Sequence, residues 1–322
     1  MRVVRAAYSL FRDAVEAWIE DYAPSMGAAL AYYTLFSVAP LLLIVIGLAG
    51  LVFGDDAARG EIFGQLRGLM GDEGAAAAER LLASADKPEG GVLATLTGMA
   101  MLLLGAMTVF GELQNALDRI WRAPARKYAS GWWNLLRSRL LSFGMILGVA
   151  FLLMVSLVVS ALVSALGKLW GPSLAGWESA AHWIDLLVSF AMVTVLFAMI
   201  YKLIPRVRIR WRDVWVGAAV TAALFAVGKF VIGLYLGKSS VASAFGAAGS
   251  LVVMMVWVYY SAQIFLLGAE FTWIYAHTYG SRRGERRPRP EDSASVVPAA
   301  HPSSPSGPAA TGQPDYRAAQ SR

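Results

Sequence analysis

Six apolar runs, each about 20 residues or longer, constrain this chain more than any other feature. They cover about residues 28–53, 92–110, 140–166, 186–204, 214–236 and 251–275. Each is too long for an ordinary core helix and lacks the polar stripe that an amphipathic helix would carry. In a bilayer such a run must satisfy its backbone groups internally, which favours a helix. The predicted fold is therefore an all-α integral membrane protein, a bundle of six transmembrane helices. Composition agrees: 57% hydrophobic and 16% charged residues, with a mean hydropathy of +0.54, are too apolar for a soluble domain of 322 residues.

The segments between the runs complete the architecture. Residues 1–25 place Val4, Ala7, Phe11, Val15, Trp18 and Tyr22 at helical spacing opposite a charged face, the pattern of an interfacial amphipathic helix, which Pro24 is expected to end. The charges in this segment leave no uninterrupted apolar centre, so no cleavable signal peptide is predicted. Residues 54–91 hold eight acidic and four basic side chains around Ile62, Leu66, Leu69, Leu81 and Leu82, which reads as a small external helical hairpin. The membrane domain occupies 26–280. The tail, 281–322, is rich in Pro, Ser and Ala and is expected to be disordered and cytoplasmic.

Loop charge sets the orientation. The N-terminal segment carries three basic residues, the loop after the second run six, the loop after the fourth five and the start of the tail five. The short loops between them carry only Lys168 and Lys238. Lys and Arg are retained on the cytoplasmic side, so both termini are expected inside.

Several function classes are excluded or weakened. The chain has no cysteine, which removes disulfides, thiolate metal sites and cysteine nucleophiles. The P-loop spacing G-x-x-x-x-G-K-[ST] does not occur, so no ATPase motif is present. His182, His277 and His301 lie in separate regions, and neither Ser37 nor Ser261 has a convincing base beside it. No catalytic, metal or cofactor-binding residues are assigned, and the chain is not expected to be an enzyme. The charge of +6 and pI near 9.6 reflect arginines flanking the spans, so nucleic acid is not an expected partner.

Polar groups inside the spans are the functional candidates, because ionisable side chains are costly there. Lys229 lies roughly 22 Å along the fifth span and Glu270 roughly 28 Å along the sixth, at different levels of the membrane. Glu270 falls level with Glu112, Gln114 and Asn115, near Tyr32 and Tyr33, with Ser37 further along the first span. Tyr260, Gln263 and Glu270 share one face of the sixth span. One reading is an inward polar cavity lined by these residues. The other is that Glu270 pairs with an arginine of the basic linker and locks helices together. Lys229 either binds an anion from the external side or reaches toward headgroups. Pro40 predicts a kink in the first span. Gly144 with Gly148, and Gly233 with Gly237, form GxxxG pairs that permit close helix packing.

Three segments, AALAYYTLFSVAPLL, FGELQNALDRIW and FGAAGSLVVMMVWVYYSAQIFLLGAEFTW, together resemble the YihY/BrkB family of bacterial inner-membrane proteins. The similarity covers roughly residues 10 to 280. It implies a multi-pass protein of the inner (plasma) membrane. Family members have been labelled ribonuclease BN, tied to serum resistance, or proposed to export lipid or envelope components. The ribonuclease label fits these residues badly, since they offer no metal-binding or acid-base cluster. The expected function is a translocator or permease for a lipid-like or small amphiphilic envelope component. A non-transporting scaffold or envelope-assembly protein is the alternative. Membrane lipids are the expected partners, with a second copy or other envelope proteins allowed.

Overall fold

The computed structural model describes residues 2–85, 108–123, 177–238, 245 and 248–284, and these contain no strand. In chain order the helices are α1 (Arg2–Glu20), α2 (Ala23–Phe53), α3 (Asp55–Ala85), α4 (residues 108–120), α5 (Trp177–Leu203), α6 (Trp211–Lys238) and α7 (Gly249–Thr278). Four of them carry stretches long and apolar enough to cross a membrane: Ala23–Leu51, Leu186–Leu203, Trp211–Lys238 and Gly249–Thr278. These match the first, fourth, fifth and sixth predicted spans. Of the second predicted span only 108–110 are described. The third, with Gly144 and Gly148, lies outside the described residues, as does the tail beyond Gly284.

Local chemistry explains the helix boundaries. The break between α1 and α2 falls at Asp21 and Tyr22, and Tyr22 adopts a left-handed conformation with φ 56° and ψ 37°. Pro24, expected to end the first helix, instead lies in the first turn of the second, where its missing N–H costs nothing. Helix α2 then runs through Pro40, the predicted kink position, as one element. Helix α3 is interrupted at Gly71, whose φ of 76° and ψ of 174° suit glycine. Its two arms fold back, so that Arg59, Phe63 and Arg67 of the first and Glu79, Leu82 and Ala83 of the second line one cavity of about 300 Å³.

Helix α7 is the shared neighbour, packing against α1, α2, α3 and α6. Two apolar cores lie along it. Around its C-terminal half, Leu266, Ala269 and Ile274 meet Leu10 and Ala14 of α1, Leu117 and Ile120 of α4, Tyr201 of α5, and Val214 and Ala218 of α6. Around its N-terminal half, Val253 and Met254 meet Leu42 and Ile46 of α2, Phe63 and Leu82 of α3, and Ile232 and Leu236 of α6.

The α6–α7 contact is held by a reciprocal exchange. Each helix carries a glycine followed four residues later by a threonine, Gly217 and Thr221 in α6, and Gly268 and Thr272 in α7. Each threonine hydroxyl donates to the carbonyl of its own glycine, at 2.8 Å for Thr221 and 2.7 Å for Thr272. The side chain of each also fills the space over the other helix's glycine. The pairings of 217 with 272 and 221 with 268 fix an antiparallel register. Tyr201 seals the contact from α5, its hydroxyl 3.1 Å from Thr221 Oγ1 and donating to the Phe265 carbonyl at 2.7 Å.

This exchange lies on glycines other than the predicted GxxxG pairs. Among the described residues nothing lies within 4 Å of where a Gly233 side chain would start, and Gly237 meets only Glu73. Among the described residues, glycines that let another helix approach include Gly27, Gly217, Gly228 and Gly268. A methyl at Gly268 would overlap Thr221 and the Tyr201 hydroxyl. Gly268→Ala should therefore cost about 1–3 kcal/mol by overpacking. Its thermal unfolding midpoint in detergent should fall well below wild type, while Gly233→Ala melts with wild type. Equal midpoints for the two variants would show that the exchange does not hold the bundle.

Candidate functional site

Two buried carboxyl groups of the bundle meet where α1 ends, α4 ends and α7 passes. Asp21 follows α1 and is 3% exposed, and Glu270 on α7 is 1% exposed. Arg122, just beyond α4, sets Nη2 at 3.4 Å from Asp21 Oδ2 and its guanidinium over the Trp273 ring, 5.6 Å from the centroid. The Glu270 carboxyl faces Asp21 within hydrogen-bonding reach and lies close enough to Arg122 and Glu20 to interact with their charges. One guanidinium thus serves two enclosed carboxyl groups, and such a cluster repays its desolvation only with complete hydrogen bonding.

Hydrogen bonding here is incomplete. Glu270 Oε1, Arg122 Nε, Trp121 Nε1 and Trp18 Nε1 are all buried without a partner. The backbone is strained as well. Among the described residues Tyr22 and Arg122 are the two non-glycine positions with positive φ, 56° and 49°, and each adjoins or belongs to the cluster. Conformations of this kind cost roughly 1–3 kcal/mol and persist where the surroundings enforce them. Cations over aromatic rings brace the rim: Arg119 over Tyr22 at 5.5 Å and Arg282 over Trp121 at 5.7 Å.

Glu270 was singled out from the sequence; Asp21 and Arg122 were not. Arg122 is one of six similar basic residues in its linker, and nothing local distinguishes it. Asp21 did leave a signal. Leu10, Ala14, Ala17 and Asp21 follow spacings of four, three and four and form the buried face of α1, whereas Phe11 and Tyr22 of the predicted face are exposed.

The remaining candidates go to other places. Gln114 donates to the Ile204 carbonyl at 3.2 Å and accepts from Arg206 Nη2 at 3.0 Å, while Asp118 accepts from the Arg206 N–H at 2.9 Å. Those bonds tie α4 to the end of α5. Glu112 is half-buried and Asn115 is exposed. Gln263 donates to the Pro24 carbonyl at 3.4 Å and sits over Gly27 of α2, but Tyr260 packs on Gly228 of α6, so the predicted common face divides between two neighbours. Tyr32 is exposed and meets Tyr33 and Phe36 edge-on, and Ser37 donates to the Thr34 carbonyl at 3.1 Å. Among the described residues no three His, Asp or Glu side chains could share a metal ion.

Lys229 has a role that neither sequence reading contained. Its Nζ donates to the Gly68 carbonyl at 2.7 Å, and Trp257 Nε1 donates to the Met70 carbonyl at 3.0 Å. Both carbonyls belong to the last turn before Gly71, where helix geometry leaves acceptors unfilled and favours a cation. Lys229→Met should cost about 1 kcal/mol and loosen α3. Trypsin should then cleave after Arg67 and Arg80 faster than in wild type; unchanged cleavage rates would show the bond to be dispensable. At the cluster, Arg122→Met leaves two buried acids without their cation and should cost on the order of 3 kcal/mol. Adding Asp21→Asn should recover most of that loss in thermal unfolding; a double variant no more stable than Arg122→Met would mean the pair is not coupled.

The family model described as Virulence factor BrkB matches residues 14–293, which includes the whole cluster. A UPF0761 membrane protein of Pseudomonas aeruginosa is 28% identical over 295 residues, covering 87% of this chain and 67% of that one. One from Azotobacter vinelandii is 28% identical over 286 residues, covering 87% and 65%, and one from Acinetobacter baylyi is 25% identical over 263 residues, covering 81% and 60%. This chain thus spans about two thirds of the length of these relatives or slightly less. No solved structure matches it. With apolar helices of spanning length and a family match along most of its length, the chain is a membrane protein belonging to the BrkB family.

Proposed function

We propose that this protein is a translocator for a lipid-like or small amphiphilic component of the bacterial envelope. It sits in the inner membrane with both termini cytoplasmic, the side on which the basic loops accumulate. The Asp21–Arg122–Glu270 cluster is the element that rearranges during transfer. The observation that carries this reading is Glu270 itself, a carboxyl enclosed in an apolar helix, against a second acid, with one oxygen unpartnered. A purely structural lock between helices would be cheaper with apolar side chains. Ionisable groups kept in such places mark ion or substrate pathways. Local strain at Tyr22 and Arg122 supplies an alternative arrangement close in energy.

A second reading, a scaffold without transport, draws on the α3 hairpin. Its arms present Arg59, Arg67 and Glu79 around a cavity, a surface suited to a partner. The two readings separate in one experiment. Transfer of a headgroup-labelled phospholipid is measured in proteoliposomes holding equal amounts of wild type, Glu270→Gln, or a variant lacking the hairpin. Transfer by wild type at severalfold the rate of empty vesicles, lost in Glu270→Gln without a change in melting midpoint, is the expected result. Wild type no faster than empty vesicles would end the lipid-translocator reading. A cellular phenotype abolished by hairpin deletion but not by Glu270→Gln would favour the scaffold.

A further inference from the structure

Helix α1 carries a second apolar face that the described residues leave uncovered. Its buried face is Leu10, Ala14, Ala17 and Asp21. At 100° per residue, Tyr8, Phe11, Val15 and Ile19 form another stripe roughly 130° away. Tyr8 is 71% exposed, Phe11 41% and Ile19 60%, with Val15 half-buried. The third sector holds Arg5, Arg12, Glu16 and Glu20, all exposed. A helix lying on the protein and otherwise in water would have polar residues in both outer sectors. This one has them in only one.

The position of α1 decides what covers the stripe. Only Asp21 and Tyr22 separate α1 from the apolar run beginning at Ala23, so the end of α1 lies where a crossing helix leaves the bilayer. A helix held at that level by α7 meets the boundary between headgroups and acyl chains. There, Phe, Ile and Val enter the apolar region and Tyr suits the interface. Arg5 and Arg12 occupy the sector next to the stripe, on the headgroup side, with Arg12 also paired to Glu16 at 3.0 Å. Cations at that edge complement the phosphates of a lipid monolayer.

We propose that the Tyr8–Phe11–Val15–Ile19 stripe is a lipid-docking surface, seated in the membrane monolayer beside the start of α2. This does not depend on whether the protein transports anything. One helix then has three differently solvated sectors: protein over Ala14 and Ala17, lipid over Phe11 and Ile19, water over Glu16 and Glu20.

The absence of cysteine from this chain allows a direct test in the intact chain. Tyr8→Cys, Phe11→Cys, Ile19→Cys, Arg5→Cys, Glu16→Cys and Glu20→Cys are each spin-labelled and reconstituted into phosphatidylethanolamine–phosphatidylglycerol vesicles. Collision with oxygen, which partitions into lipid, is compared with collision with a water-soluble nickel chelate. All six positions are exposed, so labelling should leave the fold intact, with melting midpoints as the check. The expected result is an oxygen-to-nickel ratio severalfold higher at 8, 11 and 19 than at 5, 16 and 20. Nickel access at 8, 11 and 19 equal to that at 16 would place the stripe in water and overturn the proposal. Immobile labels shielded from both reagents at 8, 11 and 19 would overturn it in favour of a protein partner, including a second copy.

Discussion

Between helices surrounded by lipid there is little water to expel, so attraction must come from close contact and from hydrogen bonds that lipid cannot supply. In this protein that contact is concentrated where α6 and α7 exchange glycine and threonine. Each hydroxyl is already satisfied by its own helix, at 2.8 and 2.7 Å, and so can be pressed against the neighbouring backbone without an unpaired polar atom. Tyr201 adds a third helix by the same logic, its buried hydroxyl spending its proton on the Phe265 carbonyl. The rest of the described bundle depends on this junction, because α1, α2 and α3 all pack on α7.

With α6 and α7 fixed, the remaining contacts differ in strength. The α3 hairpin is held by filled acceptors at Gly68 and Met70 and by an apolar core. Helix α1 is held on α7 by Leu10, Ala14 and Ala17, and its end is tied to the end of α4 by a 3.4 Å contact between Arg122 and Asp21. Small side chains bury little area, and a long ion pair with incomplete hydrogen bonds returns little of its desolvation cost. The acid that faces Glu270 directly follows α1. An anchor in lipid would restrain α1 from outside as α7 restrains it from within.

Much of the architecture was legible because its cause is local. Spanning length and apolarity can be counted, and four of the six counted runs coincide with helices of spanning length among the described residues. The face of α1 was not legible for an instructive reason. Phe11 and Tyr22 are more apolar or larger than Ala14 and Ala17, so a periodicity argument selects them. Yet close helix approach prefers the small residues, and lipid accepts the large ones. The Gly217–Thr221 and Gly268–Thr272 pairs were missed similarly: GxxxG drew attention to Gly233 and Gly237, and a glycine followed by a threonine has no such signature. Partners such as Asp21 for Glu270, or the Gly68 carbonyl for Lys229, lie far apart in the chain, and no spacing rule reaches them.

Two ionisable residues within the spans show how structure separates costs that sequence makes equal. Lys229 and Glu270 both interrupt apolar helices, and hydropathy gives no reason to treat them differently. Lys229 meets a carbonyl at the end of a helical arm, where the backbone dipole already favours a cation, so its charge is used in full by the fold. Glu270 has another acid as its neighbour, shares a guanidinium that is committed to that acid, and keeps Oε1 unpartnered. A group satisfied in place gains nothing from moving. One left with an unfilled acceptor, beside two strained residues, gains from any rearrangement that supplies a donor. That asymmetry, rather than burial alone, is why the proposed transport step is assigned to Glu270 and not to Lys229.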